Sequence, residues 1–208
     1  NAPGLPPMNK DANSVSAFAE DHLGNIWIGM IDGGLIRYRN GAFEQFPPSS
    51  GAPDQGVRAL LIDAKGRLWI GSLRHGLLRV DEPGAAQPTF RSYQKKDGLS
   101  HQTALAVTDD RDGRIYVSTG MGVDRLDPDT GQFRNFTESD GAPEREFRVA
   151  FRDRHGAVWF GGDTGLIRLL PRAGRTEAPE VRVYAVRVNG EDRLLSDLGD
   201  REPAALSL

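Results

Sequence analysis

Arg74 and His75 are the adjacent side chains in this chain of 208 residues that are best suited to contact a bound ligand. The alternative is that Arg74 and His75 lie at the tip of a solvated loop that binds nothing.

The acidic run from Asp109 to Gly113 resembles a fragment of a calcium-binding loop. It lacks the distal bidentate Glu of such loops and coincides with a turn that recurs along the chain, so a turn is the favoured interpretation. No nucleophile-elbow, phosphate-loop or zinc-protease motif is present. The histidines are too scattered for a metal motif: His22, His75, His101 and His155. We therefore expect no metal, no cofactor and no enzymatic activity.

The composition excludes several classes of protein. The chain has 26 basic and 29 acidic residues and a net charge of −3, with no basic stripe that would suit nucleic acid. It has no cysteine, which excludes disulfides and thiolate metal sites. No apolar run approaches the length of a membrane span, and the opening Asn-Ala-Pro-Gly is not a signal peptide. We expect a soluble segment of a longer protein.

One motif occurs four times, and its first copy runs Asp-His-Leu-Gly-Asn-Ile-Trp-Ile-Gly from Asp21. The anchoring glycines of successive copies are 42, 47 and 43 residues apart. Asp can accept backbone hydrogen bonds in a tight turn, Gly can adopt positive φ there, and the aromatic residue can pack between sheets. A turn residue is needed in every repeat, whereas a catalytic residue is needed only once. We therefore expect the repeated Asp, Gly and aromatic residues to have structural roles. The repeated positions are Asp21, Gly24 and Trp27; Asp63, Gly66 and Trp69; Asp110, Gly113 and Tyr116; and Asp153, Gly156 and Trp159.

A period in the forties, with strand-like segments and an aromatic residue in each copy, is typical of β-propeller blades. The predicted fold class is therefore all-β: a partial ring of four blades within residues 1–171, then a linker over 172–179 and the start of a β-sandwich-like module over 180–208. The fourth repeat has no evident fourth strand, because Pro171 interrupts it. The predicted blades cover about residues 15–46, 57–93, 103–136 and 147–170.

A propeller brings the loops between second and third strands to the same face as the connections between blades, and a ligand site is expected there. Arg74 and His75 form the most polar of these loops, and Asp54, Gln55, Gln102 and Glu144 are further polar residues of this face. The candidate ligand-binding residues are Asp32, Arg74, His75, His101, Arg145, Asp163 and Thr164.

The repeat pattern resembles the two-component regulator propeller repeat. Each copy of the motif is followed by a Gly-Leu-x-Arg element, as in Gly34–Arg37, which the third copy carries as Gly-Val-Asp-Arg. The third copy also departs at Tyr116 and Ser118, where the others have Trp and Gly. The tail from Pro179 to Gly190 is similar to the opening of the Tyr-rich, immunoglobulin-like domain that follows such propellers.

The resemblance implies a non-catalytic sensor or interaction module in the extracytoplasmic, periplasmic part of a bacterial receptor. Such receptors are histidine kinases, hybrid two-component sensors or diguanylate cyclases, anchored in the membrane outside this segment. The implied partners are a small molecule or an oligosaccharide and a second copy of the receptor, but not nucleic acid. Two alternatives stay open. One is a propeller enzyme that resembles streptogramin lyase, whose histidine-based site His75 and His101 could supply. The other is a purely structural scaffold.

Overall fold

A computed structural model of the chain describes residues 14–136, 140, 146–163, 165–171, 185–188 and 191–194, the last two segments as backbone only. The described residues form antiparallel sheets, joined in part by two single-turn 3-10 helices, Pro48–Ser50 and Lys95–Asp97. This confirms the all-β prediction.

Four sheets follow one another along the chain, and each is called a blade. The first is β1 (Val15–Glu20), β2 (Ile26–Met30), β3 (Gly34–Arg39) and β4 (Ala42–Gln45). The second is β5 (Val57–Ile62), β6 (Leu68–Ser72), β7 (Gly76–Val80) and β8 (Arg91–Tyr93). The third is β9 (Ala104–Asp109), β10 (Ile115–Thr119), β11 (Gly122–Leu126) and β12 (Phe133–Phe136). The fourth has three strands in the described part, β13 (Val149–Arg152), β14 (Val158–Gly162) and β15 (Gly165–Leu169).

Among the described residues, the hydrophobic core consists of three clusters, each between two consecutive blades. Trp27 and Leu35 of the first blade pack with Val57 and Ile70 of the second. The second and third blades share a cluster around Trp69, Leu77, Val107 and Val117. Tyr116 and Val123 of the third blade pack with Phe147 and Phe160 of the fourth. Apolar side chains on both faces of each sheet therefore explain why one blade needs its neighbours.

Close contact between blades depends on small residues in the second strand of each. A Cβ atom added to Gly29 would lie 2.4 Å from Cγ1 of Val57, so only glycine fits there. At the same position of the third blade, the hydroxyl of Ser118 donates a hydrogen bond to the carbonyl oxygen of Phe147 in the next blade. This serine therefore replaces close packing with a hydrogen bond between blades.

The first strand of the fourth blade starts after the predicted beginning of that blade at about residue 147. Phe147 lies before β13, and its side chain packs against Phe160 in the core cluster. The last strand of the second blade, β8, has only three residues, Arg91–Tyr93.

The chain divides into two compact units, residues 1–171 and residues 172–208. The described part of the second unit is the antiparallel hairpin β16 (Ala185–Val188) and β17 (Glu191–Leu194). The predicted linker at 172–179 and most of the predicted sandwich lie outside the described residues, so the sandwich stays a prediction. Among the described residues, no helix has the length and hydrophobicity to cross a membrane.

Candidate functional site

The loop between β6 and β7 contacts both neighbouring inter-blade connections. The amide of Leu73 donates to the carbonyl oxygen of Gly56 at 2.8 Å, in the connection before the second blade. The amide of Gly76 donates to the carbonyl oxygen of Gln102 at 3.0 Å, in the connection after it. Strand-two-to-strand-three loops and inter-blade connections therefore lie at one edge of the blades, which we call the loop edge.

Arg74 and His75 are held in this loop by a buried serine. Oγ of Ser72 accepts hydrogen bonds from the amides of Arg74 and His75 at 3.3 and 3.2 Å. Nδ1 of His75 lies 3.4 Å from the same oxygen, and Nε2 lies 3.7 Å from Oδ1 of Asp54. The side chain of Arg74 is exposed. The loop thus carries an exposed guanidinium next in sequence to an imidazole that faces the carboxylate of Asp54, and these groups can bind hydroxyl and carboxylate groups.

His101 lies at the next inter-blade connection of the same edge. Its Nδ1 accepts a hydrogen bond from the amide of Thr103 at 3.1 Å. The hydroxyl of Thr103 donates to the carbonyl oxygen of Leu73 at 3.1 Å, which links His101 to the loop that carries His75. The ring also lies against Gly120, where an added Cβ would be 2.9 Å from Nδ1. When Nδ1 is the acceptor, a neutral His101 carries its proton on Nε2.

Two other predicted ligand-binding residues, Asp32 and Asp163, lie in the loops of other blades. Asp32 is exposed in the corresponding loop of the first blade. Asp163, in the fourth blade, forms an exposed ion pair with Arg148, with Oδ2 and Nη2 3.1 Å apart. Arg145 and Thr164 lie outside the described residues. The described candidates therefore lie in loops of three blades, and the contacts between them join only the second blade and the connections on either side of it.

Asp124 is a buried carboxylate at the loop edge that the sequence analysis did not single out. Its Oδ2 accepts from the amide of Ser100 at 2.7 Å, and its Oδ1 accepts from Nδ2 of Asn135 at 2.7 Å. Burial raises its pKa, against the lowering effect of these hydrogen bonds. The only signal in the sequence is its position in the repeat, where Ile36, Leu78 and Ile167 stand in the other blades. Asp124 anchors the connection that carries His101.

The repeated aspartates are fully engaged in their turns. Oδ1 of Asp63 accepts from the amides of Lys65 and Arg67 at 2.9 and 3.0 Å. Oδ2 accepts from Nε1 of Trp69 at 2.8 Å and from Nε of Arg67 at 2.7 Å. The same aspartate-to-aromatic bond occurs from Trp27 to Asp21, from Tyr116 to Asp110 and from Trp159 to Asp153, at 3.1, 3.2 and 2.9 Å.

The acidic run of the third blade is likewise engaged with protein groups. Oδ1 of Asp109 accepts from Nε of Arg152 at 2.9 Å in the fourth blade, and burial raises the pKa of Asp109. Oδ2 of Asp112 lies 3.2 Å from Nη2 of Arg114. No group of three or more His, Asp or Glu side chains among the described residues is arranged to hold a metal ion.

The opposite edge of the blades has an open groove of about 550 Å³ between the turns of the first two blades. Its polar lining residues include Glu20, His22, Asp63 and Lys65. Asp63 accepts a hydrogen bond from Nε1 of Trp69, and Nζ of Lys65 lies 2.8 Å from Oδ1 of Asp129. The groove therefore offers few unengaged groups, and the loop edge remains the better candidate.

The sequence also matches a known repeat family. Residues 9–32 and 51–74 match the model described as two component regulator propeller. No curated protein matches the chain significantly.

Solved structures share the fold. An extracellular domain of a hybrid two-component system from B. thetaiotaomicron is 21% identical with a TM-score of 0.68, and the match covers 88% of this chain and 26% of that one. The extracellular domain of a one-component system from the same organism is 21% identical with a TM-score of 0.64, over 76% of this chain and 23% of that one. Virginiamycin B lyase from Staphylococcus aureus is 16% identical with a TM-score of 0.58, over 94% of this chain and 71% of that one.

The chain thus spans about a quarter of the length of the two extracellular domains, with 26% and 23% covered. Its four consecutive sheets and the fold of these structures confirm the predicted partial propeller. Two segments of the chain, residues 9–32 and 51–74, match the two-component regulator propeller repeat, and its β-propeller fold is similar to that of the extracellular domain of a hybrid two-component system.

Proposed function

We propose that this chain is a non-catalytic ligand-binding module in the extracytoplasmic part of a membrane-anchored bacterial receptor that acts through two-component signalling. The observation that supports this most strongly is the family match at residues 9–32 and 51–74. The fold shared with extracellular domains of such systems is consistent with it.

The proposed binding site is the part of the loop edge around Arg74, His75 and Asp54. Arg74 is exposed and can make two parallel hydrogen bonds to a carboxylate. Asp54 accepts hydrogen bonds, and His75 can donate or accept them. This mixture of donors and acceptors suits a ligand with many hydroxyl groups and at least one acidic group. The proposed ligand class is therefore an acidic oligosaccharide.

Chemical-shift mapping of backbone amides tests this site, with hexagalacturonate as the acidic probe and maltohexaose as the neutral one. We expect saturable shifts at residues 54–56 and 72–76 with the acidic probe and weaker ones with the neutral probe. Arg74→Ala should abolish them. Arg154→Ala is the matched control, because Arg154 is an exposed arginine in a turn at the opposite edge. Shifts that survive Arg74→Ala, or that map to the groove near Lys65, would contradict the proposed site.

A second candidate is a lyase that opens a cyclic ester by elimination. It is favoured by the likeness to virginiamycin B lyase, of which this chain covers 71%, and by the positions of His75 and His101 on one edge. Quinupristin, which is bound in a structure of an inactive variant of that lyase, is the natural test compound. Elimination would change its chromatographic retention at unchanged mass, and the change should vanish in His75→Ala and His101→Ala. Unaltered quinupristin would exclude this activity.

A third candidate function is that of a scaffold, in which the propeller only acts as a spacer within the receptor or dimerises it. It predicts that none of the probes above stabilises the folded chain in a saturable way, since a ligand that binds only the folded state must raise its stability.

A further inference from the structure

The first strands of three blades each contain one extra residue near the loop edge. In β5 the register shifts between Val57 and Ala59, so Arg58 between them has no pairing partner on β6. The same irregularity occurs in β1 at Ser16 and in β9 at Leu105. We call this place the bulge position. A β-bulge turns one side chain out of the regular alternation of a strand, and such bulges are common beside functional sites.

The bulge position lies on the side of the blades that faces the propeller axis. The first strands of successive blades contact one another, β1 with β5, β5 with β9 and β9 with β13. This is the arrangement expected of strands that surround a central channel. At the bulge of β1, Oγ of Ser16 lies 2.6 Å from the carbonyl oxygen of Val57 in the next blade. A side chain at the bulge position can therefore reach the place where two first strands meet.

Arg58 is half-buried at its bulge position, and its guanidinium makes no hydrogen bond, ion pair or aromatic contact with any described residue. The second blade lies between the first and the third, so both blades that flank Arg58 belong to the described part of the chain. A guanidinium has five N–H donors and a permanent charge. Because partial burial of a charge without an acceptor is unfavourable, this group is suited to receive an acceptor from a ligand.

Arg58 also adjoins the loop of the proposed binding site. Val57, the residue before it, pairs with Ser72 across the sheet. Oγ of Ser72 in turn accepts the hydrogen bonds from the amides of Arg74 and His75 that hold this loop. One strand pair therefore fixes the bulge of β5 relative to the binding loop, with Arg58 on the axis side.

We propose that Arg58 is a further ligand-binding residue, which binds a second acidic group of the ligand on the axis side of the Arg74 loop. This inference rests on the proposed function, because it extends the same site. Each guanidinium can form two parallel hydrogen bonds with one carboxylate, so the two arginines together suit a ligand with at least two carboxylates. The ligand class is thereby narrowed to an oligosaccharide in which more than one sugar is a uronic acid.

Titration of the 208-residue chain with hexagalacturonate tests the role of Arg58, with calorimetry for affinity and the Nε–Hε signal of Arg58 for location. We expect this signal to shift saturably. Arg58→Gln should raise the dissociation constant about tenfold while the amide shifts at residues 72–76 persist. Arg58→Lys keeps the charge but not the planar fork, so it should also weaken binding, and it serves in place of Arg58→Gln if that variant does not fold.

Arg148 provides the matched control. It is the equivalent residue of the fourth blade, where its amide donates to the carbonyl oxygen of Gly161 at 2.8 Å. Its guanidinium already has an acceptor, because Nη2 lies 3.1 Å from Oδ2 of Asp163. Arg148→Gln removes the same charge and should leave the affinity for hexagalacturonate unchanged. An equal loss in Arg58→Gln and Arg148→Gln would overturn the inference, since it would reflect net charge alone.

Tricarballylate, a small tricarboxylate without hydroxyl groups, separates this inference from the proposed function. It should shift the Nε–Hε signal of Arg58 saturably, whereas sodium chloride of equal ionic strength should not. Hexagalacturonate binding that Arg74→Ala abolishes but Arg58→Gln leaves unchanged would overturn the role of Arg58 and leave the proposed function intact. A response of Arg58 to tricarballylate without any binding of hexagalacturonate would support the anion site and contradict the proposed ligand class. An Arg58 signal that responds to neither compound would overturn the inference.

Discussion

The hydroxyl of Tyr116 donates a 3.2 Å hydrogen bond to Oδ2 of Asp110, at the place where the other three blades use an indole. Trp27, Trp69 and Trp159 make the equivalent bond from Nε1. The aspartate therefore orders the turn with one oxygen and satisfies a largely buried aromatic donor with the other. Tyrosine replaces tryptophan in the third blade because it, too, carries a donor at the far end of its ring.

Removal of the Tyr116 hydroxyl should destabilise the protein. Tyr116→Phe leaves the buried Asp110 with one donor fewer, and we expect a loss of about 1–2 kcal/mol in the free energy of unfolding. The control is Tyr93→Phe, because the hydroxyl of Tyr93 is buried without a hydrogen-bond partner among the described residues. That change should leave stability equal or higher. Urea unfolding of both variants measures the difference, and equal losses would contradict this role of the Tyr116 hydroxyl.

The spacing between the first two blades should be sensitive to one methyl group. Gly29→Ala places a Cβ against Val57 and should cost about 1–3 kcal/mol. Val57→Ala removes the opposing Cγ1 atom, so the double variant should be more stable than the sum of the single effects predicts. Additive losses in a double-mutant cycle would show that the two residues do not clash.

Arg37 should contribute more to stability than its equivalent in the fourth blade. Its guanidinium is buried, donates to the carbonyl oxygens of Pro83 and Ala85 at 2.7 Å each, and pairs with Glu44. Lysine cannot reproduce this set of bonds, and Arg37→Lys should cost about 1.5–3 kcal/mol.

Arg168 provides the matched control for Arg37. It is exposed and lies over the ring of Trp159, 5.1 Å from the ring centroid. Arg168→Lys should therefore change stability by less than about 0.5 kcal/mol. Thermal unfolding compares the two variants, and similar shifts would refute the bridging role of Arg37.

The stability of the chain should depend on pH through Asp124. Burial raises the pKa of this carboxyl in the folded state, so the folded protein holds the proton more tightly than the unfolded chain. Stability from this group is therefore present at low pH and lost as pH rises from the ordinary value of 3.8 through the raised one.

Asp124→Asn removes this titration and should flatten the pH dependence of stability above pH 3.8. Denaturant unfolding over a series of pH values gives the slopes. Asp153→Asn is a contrasting variant, because the hydrogen bond from Trp159 lowers the pKa of Asp153. The stability that Asp153 contributes should be lost as pH falls below the ordinary pKa of 3.8. This pH dependence is opposite to that expected from Asp124. An unchanged slope in Asp124→Asn would show that Asp124 titrates normally.

The repeat allowed the blades and the common edge of their loops to be predicted, because Asp-x-x-Gly and the following apolar residues act locally. The bonds between blades were not predictable in the same way. Arg37 reaches Pro83 and Ala85 over 46 and 48 residues, and the loop that supplies these carbonyls has no counterpart of similar length in the first blade. Asp124 could have been noticed, since it breaks an apolar position of the repeat, but its partner Ser100 depends on tertiary structure.

Calorimetric titration of the chain with hexagalacturonate tests the central claim of ligand binding at the loop edge most directly. The account predicts saturable binding that weakens with added salt, that Arg74→Ala and His75→Ala each reduce at least about tenfold, and that Arg154→Ala leaves unchanged. Absence of binding to the wild-type chain, or equal affinity in Arg74→Ala, would contradict it.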